Sequence, residues 1–218
     1  MRRSRSDDTH SASRRRNCRP HAKGAAIFPR FHSAASCLVI ALAVSLAASP
    51  SAVSQSNSAG EYEIKAAFLY NFAKFIDWPD SSFANAQSSF AICVLGTDPF
   101  GSALDRTLQG KMVGNHPVTL IRITEIEQAR RCHVVFVAAS ESKRLPEIID
   151  RLQTTSVLLV GESDGFAEAG GAIQFTLDDN HVRFTINRDV ADRAGLKFSS
   201  KLLALAKIVR DPPNSRKS

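Results

Sequence analysis

Apolar residues recur at helical spacing around the stretch KAAFLYNFAKFIDWP, placing Ile64, Ala67, Phe68, Asn71, Phe72, Phe75 and Ile76 on one predicted helix face. The helix must end before Pro79, because proline holds Trp78 out of the helical region. Three phenylalanines on one stripe read most simply as a core-facing side. Asn71, in the middle of that stripe, is either bonded to backbone there or a polar spot at a seam with a second copy.

Downstream the period changes. Continuous apolar runs at Ser89 to Gly96, Pro117 to Ile123, Cys132 to Ala138 and Ser156 to Glu162 predict buried strands. Short helical patterns lie between them. The first spans Asp98 to Gly110, with Asp98 as N-cap and Pro99 at the first position. The second spans Thr124 to Arg131, capped by Thr124, and the third spans about Leu145 to Leu152. Buried strands alternating with helices imply a parallel sheet covered on both faces. The expected fold is therefore α/β, a Rossmann-like layer fold.

The ending differs. Ala172 to Asn187 alternates apolar and polar positions around DDNH, which predicts an antiparallel hairpin. On this pattern Ile173, Phe175, Leu177, Val182, Phe184 and Ile186 face one way, while Arg183 and Thr185 face the other. Two C-terminal helices complete the reading: a short one stopped at Gly195, and a longer one with Leu202, Leu203, Leu205, Ala206 and Val209 turned inward.

The first 54 residues read as a secretory leader: a basic, Ser-rich stretch, the apolar run CLVIALAVSLAA, then small residues up to a cut after Ser54. The apolar run is too short to remain as a membrane anchor. Residues 55–60 then form a polar linker, 61–210 a single domain, and 211–218 a disordered tail. The leader changes the charge argument, since it carries nine of the 28 Lys/Arg and two of the 21 Asp/Glu, leaving 19 of each. The formal +7 that would invite a nucleic-acid reading belongs to a discarded segment. Nucleic acid is excluded as a partner.

Two of the four cysteines leave with the leader, so Cys93 and Cys132 remain. In an oxidising compartment a lone pair of this kind forms a structural disulfide, and no Cys-x-x-Cys spacing suggests redox chemistry. The histidines stand apart: His116 in a polar turn, His133 after a cysteine, His181 at the hairpin tip. None has metal-ligand spacing to another. Asp164 to Gly171 lacks the Walker lysine and the GxGxxG spacing, so its paired glycines serve the turn into the hairpin. LGTDPFG, after the first strand, has only the weak layout of an anion site at a helix N-terminus. No enzyme and no cofactor are implied.

Five segments carry a resemblance: IKAAFLYNFAKFIDWP, CVLGTDPFG, CHVVFV, GFAEAGGAIQF and VRFTINRDVADRAGLKFSSKLLALA. In order and spread over the whole exported domain, they resemble the YfiR family of periplasmic repressors. The resemblance implies a secreted α/β domain that forms a homodimer, binds the periplasmic sensor of an inner-membrane diguanylate cyclase and holds it inactive. It further implies sequestration by an outer-membrane OmpA-like lipoprotein, which would release cyclic di-GMP synthesis and biofilm formation. Cys93 and Cys132 match the family's structural disulfide. Ala167 and Gln174 stand where some members have a second cysteine pair near the Gly-Gly turn. Partner contacts are expected on the C-terminal hairpin and helix at Ile173, Thr185 and Ala191, of which Ile173 is equally well a core residue. The rival reading is a periplasmic small-molecule-binding module, which would need a concave pocket with convergent polar groups.

Overall fold

The computed structural model describes residues 52–211, with side chains from Ser58 onward. The leader up to residue 51 and the tail after residue 211 lie outside the described residues. Helix α1 (Ala52–Lys74) opens the fold, so the expected linker at 55–60 is helical and continuous with it. The predicted strands and hairpin follow as β2 (Phe90–Leu95), β4 (His116–Ile123), β5 (Val134–Val137), β6 (Leu158–Gly161), β7 (Ile173–Asp178) and β8 (His181–Asn187), joined by two short strands not expected from sequence, β1 (Ile76–Asp77) and β3 (Met112–Val113). Two short strands come last, β9 (Lys197–Phe198) and β10 (Lys207–Val209). The remaining helices are α2 (Ser102–Leu108), α3 (Leu145–Leu152), α4 (Arg188–Arg193) and α5 (Ser200–Leu203).

An eight-stranded sheet runs in the order β10-β8-β7-β6-β5-β2-β4-β3. Strands β4, β2, β5, β6 and β7 are mutually parallel, and β8 turns back against β7 through Asp179 and Asn180, both at positive φ. Two consecutive left-handed residues make the kind of tight turn that matches the twist of a hairpin. The mostly parallel α/β class is thus as expected.

Alternation along β2 shows why both faces are apolar. Phe90, Ile92 and Val94 join a core with Leu69, Phe72, Leu104, Phe136, Phe175 and Phe184, beneath α1 and α2. Ala91, Cys93 and Leu95 join the other core, with Ile126, Val135, Ile148, Leu152 and Phe166, beneath α3 and a 3-10 turn (Ile126–Arg131). Cys93, fully buried, meets Cys132 in a disulfide with a Cα separation of 6.0 Å.

Several boundaries depart from expectation. Glu125, not Thr124, caps the 126–131 turn, through a reciprocal capping box with Gln128. Asp98 does not cap α2. Its carboxylate accepts from Phe100 N at 2.7 Å in a local turn, and the helix starts only at Ser102. The expected long last helix is cut to α5 and β10, and Leu205 is 70% exposed, because β10 is captured by the edge of β8. Local backbone preference lost to sheet pairing there.

Candidate functional site

Helix α1 is rotated relative to the stripe read from sequence. Its inward residues are Lys65, Ala66, Leu69, Phe72 and Ala73, followed inward by Ile76 of β1, whereas Ile64 is 48% exposed and Phe75, just after the helix, 38% exposed. Phe68 is half-buried against Phe175 and Phe184, with ring centroids 6.2 and 5.3 Å away, and Asn71 is also half-buried beside that outer stripe. A lysine occupies the inner face because it is paired there.

Lys65 Nζ forms ion pairs with Glu162, at 2.6 Å, and with Glu61, one helical turn back. Tyr62 donates from its hydroxyl to Glu162 at 3.2 Å. The ammonium also lies 4.7 Å from the Tyr62 ring centroid, within cation–π range. Burial, with the Glu162 charge adding to it, pushes the Tyr62 phenol above its usual range, which keeps the hydroxyl protonated to donate to Glu162. This cluster sits at the C-terminal end of β6, in a cleft of about 460 Å³ that also takes in Asp164, Phe175 and Leu177. Every group in it that needs a partner has one. A buried lysine on an otherwise apolar stripe is the signal that sequence reasoning passed over.

The opposite edge of the sheet holds a second cleft, of about 580 Å³, at the N-terminal ends of β2 and β5. His133 lines it, only 6% exposed, and stacks on Phe90 and Phe83 with centroids 4.5 and 4.8 Å away. Its Nδ1 accepts from Ala91 N at 3.1 Å, which places the proton on Nε2. That Nε2 has no hydrogen-bond partner, nor has the buried Ser82 hydroxyl beside it. Burial holds the imidazole below its ordinary pKa. In the sequence His133 reads only as the residue after a cysteine, with no sign of this burial.

The remaining expected sites fare as follows. Asp98 is bound to Arg122 at 2.7 Å as well as to Phe100, which closes the LGTDPFG turn. Ile173, Thr185 and Ala191 are 0%, 7% and 0% exposed. Ile173 packs in the α1-side core, as its core reading had it. Thr185 does face away from Phe184, but that side is covered too. There Ala167 N donates to Gln174 Oε1 at 3.0 Å, and Asn187 Nδ2 donates to Ala167 O at 2.8 Å. Hydrogen bonds thus join the region where a second cysteine pair was considered. Phe166 anchors this cover, and Gly171 must be glycine because a Cβ would stand 2.0 Å from the ring. The expectation of outward-facing contacts at Thr185 and Ala191 is corrected accordingly.

A family model described as YfiR/HmsC-like matches residues 62–207. The chain belongs to the YfiR/HmsC-like family. No curated protein matches it. Among solved structures, a conserved domain protein of Vibrio cholerae aligns at a TM-score of 0.49 and 11% identity, covering 67% of this chain and 59% of that one. The chain therefore spans just under three fifths of that protein. A substrate-binding protein with adhesive properties from Clostridium difficile, CD0873 in its ligand-free open form, aligns at a TM-score of 0.43 and 10% identity over 66% of this chain and 58% of that one. Among the described residues, no helix is long and apolar enough to cross a membrane, and no group of three or more His, Cys, Asp or Glu could hold a metal ion.

Proposed function

We propose that this chain is a non-enzymatic periplasmic regulator, exported with a cleaved leader. It binds the periplasmic sensor domain of an inner-membrane diguanylate cyclase and holds the cyclase inactive, lowering cyclic di-GMP and biofilm formation. Family membership carries the reading. A homodimer and a sequestering outer-membrane OmpA-like lipoprotein belong to the same proposal. Repression requires that the regulator bind the inactive cyclase more tightly than the active one, since equal affinity shifts nothing.

Surface exposure supports a revised docking face. Ile64 on α1, Phe75 just after it and Leu177 near the hairpin tip, 52% exposed, present large apolar groups to solvent. Such residues, when grouped, mark interaction surfaces. Ile173, Thr185 and Ala191, all buried, are not part of this exposed face. Deleting the gene in its host should raise cyclic di-GMP; an unchanged level with the cyclase intact would overturn repression. Ile64→Lys and Leu177→Lys should weaken binding to the purified sensor domain by about tenfold or more while the fold persists. If neither does, the docking face lies elsewhere.

A further inference from the structure

The eight-stranded sheet ends laterally on β10, and three features of that strand specify what can lie beside it. First, its main chain is open on one side. β10 pairs with β8 in parallel, Lys207 beside Thr185, Ile208 beside Ile186 and Val209 beside Asn187, and no strand follows it in the sheet. Apart from that ladder, the main chain of residues 207–209 makes no hydrogen bond among the described residues. The far side of the sheet differs, since Tyr70 donates its hydroxyl there to Met112 O at 3.0 Å and a side chain already uses part of β3. An exposed row of amides and carbonyls is a template for a further strand.

Second, the two faces beside this open side differ in chemistry. Paired residues of neighbouring strands share a face, so Ile208 follows Ile186 to the α1 side, where it is 42% exposed, and Lys207 follows Thr185 to the other. Arg183, two residues before Thr185 on β8, points to that other face as well, and both cations are exposed. Neither forms an ion pair among the described residues. The carboxylates of this end are committed elsewhere: Asp189 to Arg210 at 3.6 Å, Asp192 to Arg188 at 3.9 Å and Asp211 to Arg193. Asp178 and Asp179 stand at the hairpin tip. Third, the strand is pinned. Asp211, just past β10, accepts from Asn187 Nδ2 at 2.8 Å, and its own N–H donates to Asp189 Oδ2 at 3.0 Å.

From these features we infer that a partner protein adds an extended acidic segment to the free side of β10 as a further strand, its carboxylates facing Lys207 and its apolar side chains lying beside Ile208. Arg183 adds to the positive field of the Lys207 face. Main-chain hydrogen bonds supply the affinity of such an addition, and the alternation of side chains supplies the specificity. Charge selects the occupant. Residues 212–218 of this chain open with two prolines, which have no N–H to give, and carry Arg216 and Lys217, the wrong sign. A second copy set antiparallel along the same side would double the cations on one face, where like charges repel. Edge lysines guard against self-pairing of this kind. Here Lys207 refuses the chain itself and favours a carboxylate. The inference goes beyond the cyclase reading and does not depend on it.

The test uses the purified protein labelled with nitrogen-15 and a short probe peptide of alternating valine and glutamate. Saturable shifts of the Lys207, Ile208 and Val209 amide resonances, larger than those of Met112 and Val113 in β3, are the expected result. A peptide of the same composition with its glutamates in one block, and one with lysine in place of glutamate, should each bind about tenfold more weakly. Lys207→Glu should raise the half-saturation concentration about tenfold, because it exchanges an attractive cross-strand pair for a repulsive one. Lys143→Glu, at an exposed cation in the turn after β5, should leave it unchanged. No saturable shift at β10 with the alternating peptide would overturn the inference. So would equal binding of the block peptide, or equal effects of the two lysine variants, since either would report net charge alone. Phosphatidylglycerol vesicles that shift the β10 amides where the alternating peptide does not would point to an anionic membrane surface and overturn it as well.

Discussion

The two edges of the parallel sheet treat a buried ionisable side chain in opposite ways. At the C-terminal edge Lys65 is enclosed with two carboxylates and a phenol, and each of these groups is used. At the N-terminal edge His133 is enclosed with its Nε2–H unused, beside a hydroxyl that is also unused. Removal from water penalises a charge or a bare donor equally at either place. The first cluster is thus complete as a structural element, while the second keeps a closed-off donor beside an unpaired hydroxyl.

The disulfide beneath the N-terminal cleft gives the largest way to break this comparison. It spans a sequence separation of 39 and is buried at both ends. Cys93→Ala with Cys132→Ala should cost about 4 kcal/mol on the chain-entropy view, less any relief of native strain. Urea unfolding of the oxidised protein and the double variant checks it. If the stability loss is small but His133 titrates nearer its ordinary pKa, the disulfide serves the cleft's rigidity more than the fold.

At the other edge, Glu162→Ala would leave Lys65 with Glu61 alone. Breaking a buried pair from one side costs roughly 3 kcal/mol, whereas replacing both partners by apolar residues is often close to neutral. The expected order of stability is therefore wild type and Lys65→Met/Glu162→Leu close together, with Glu162→Ala well below both. A double variant as unstable as the single one would mean that the cluster holds more than its own charges, and the contrast between the edges would weaken.

The layer fold was legible because parallel strands buried on both faces are nearly continuous apolar runs, and β2, β5 and β6 are such runs. The face of α1 was not. Apolar periodicity selects Ile64 and Phe75, yet Lys65 lies inside because its partner Glu162 is 97 residues away, a pairing no local pattern contains. Thr185 misled for a related reason. Alternation correctly turned it away from Phe184, but the Phe166–Ala167 segment covers that side as well. The burial of His133 was invisible because its partner, Ala91 N, is a backbone group on a neighbouring strand.

That cover over the hairpin gives a middle-sized prediction. Thr185→Lys places an ammonium where Gln174 and Asn187 are already committed to Ala167. It should destabilise by more than about 2 kcal/mol, since a buried unpaired charge is among the few causes of large losses. Leu177→Lys, at the exposed tip of the same hairpin, should cost about 0.5 kcal/mol or less. Thermal unfolding of the two separates a covered face from a docking face, and equal losses would mean that the tip too is covered.

The smallest effect tests the His133 side of the comparison directly. Burial lowers the His133 pKa below 6.5 in the fold, while the neighbouring charge of His116 acts in the same direction and the Ser82 backbone acts against it. In the unfolded chain the imidazole titrates near its ordinary value, so below about pH 6.5 the unfolded state binds a proton that the folded state resists. The stability contributed by keeping His133 neutral is fully present above that pH and is lost as pH falls toward and through the lower folded pKa. Over that window the slope from this one group cannot exceed about 1.4 kcal/mol per pH unit. Urea midpoints at pH 7.5 and at pH 5.5 should therefore differ more for the wild type than for His133→Gln, whose amide oxygen can still accept from Ala91 but does not titrate. Equal differences for the two proteins would mean that burial does not hold the His133 imidazole below its ordinary pKa, and the contrast between the two ends of the sheet would weaken.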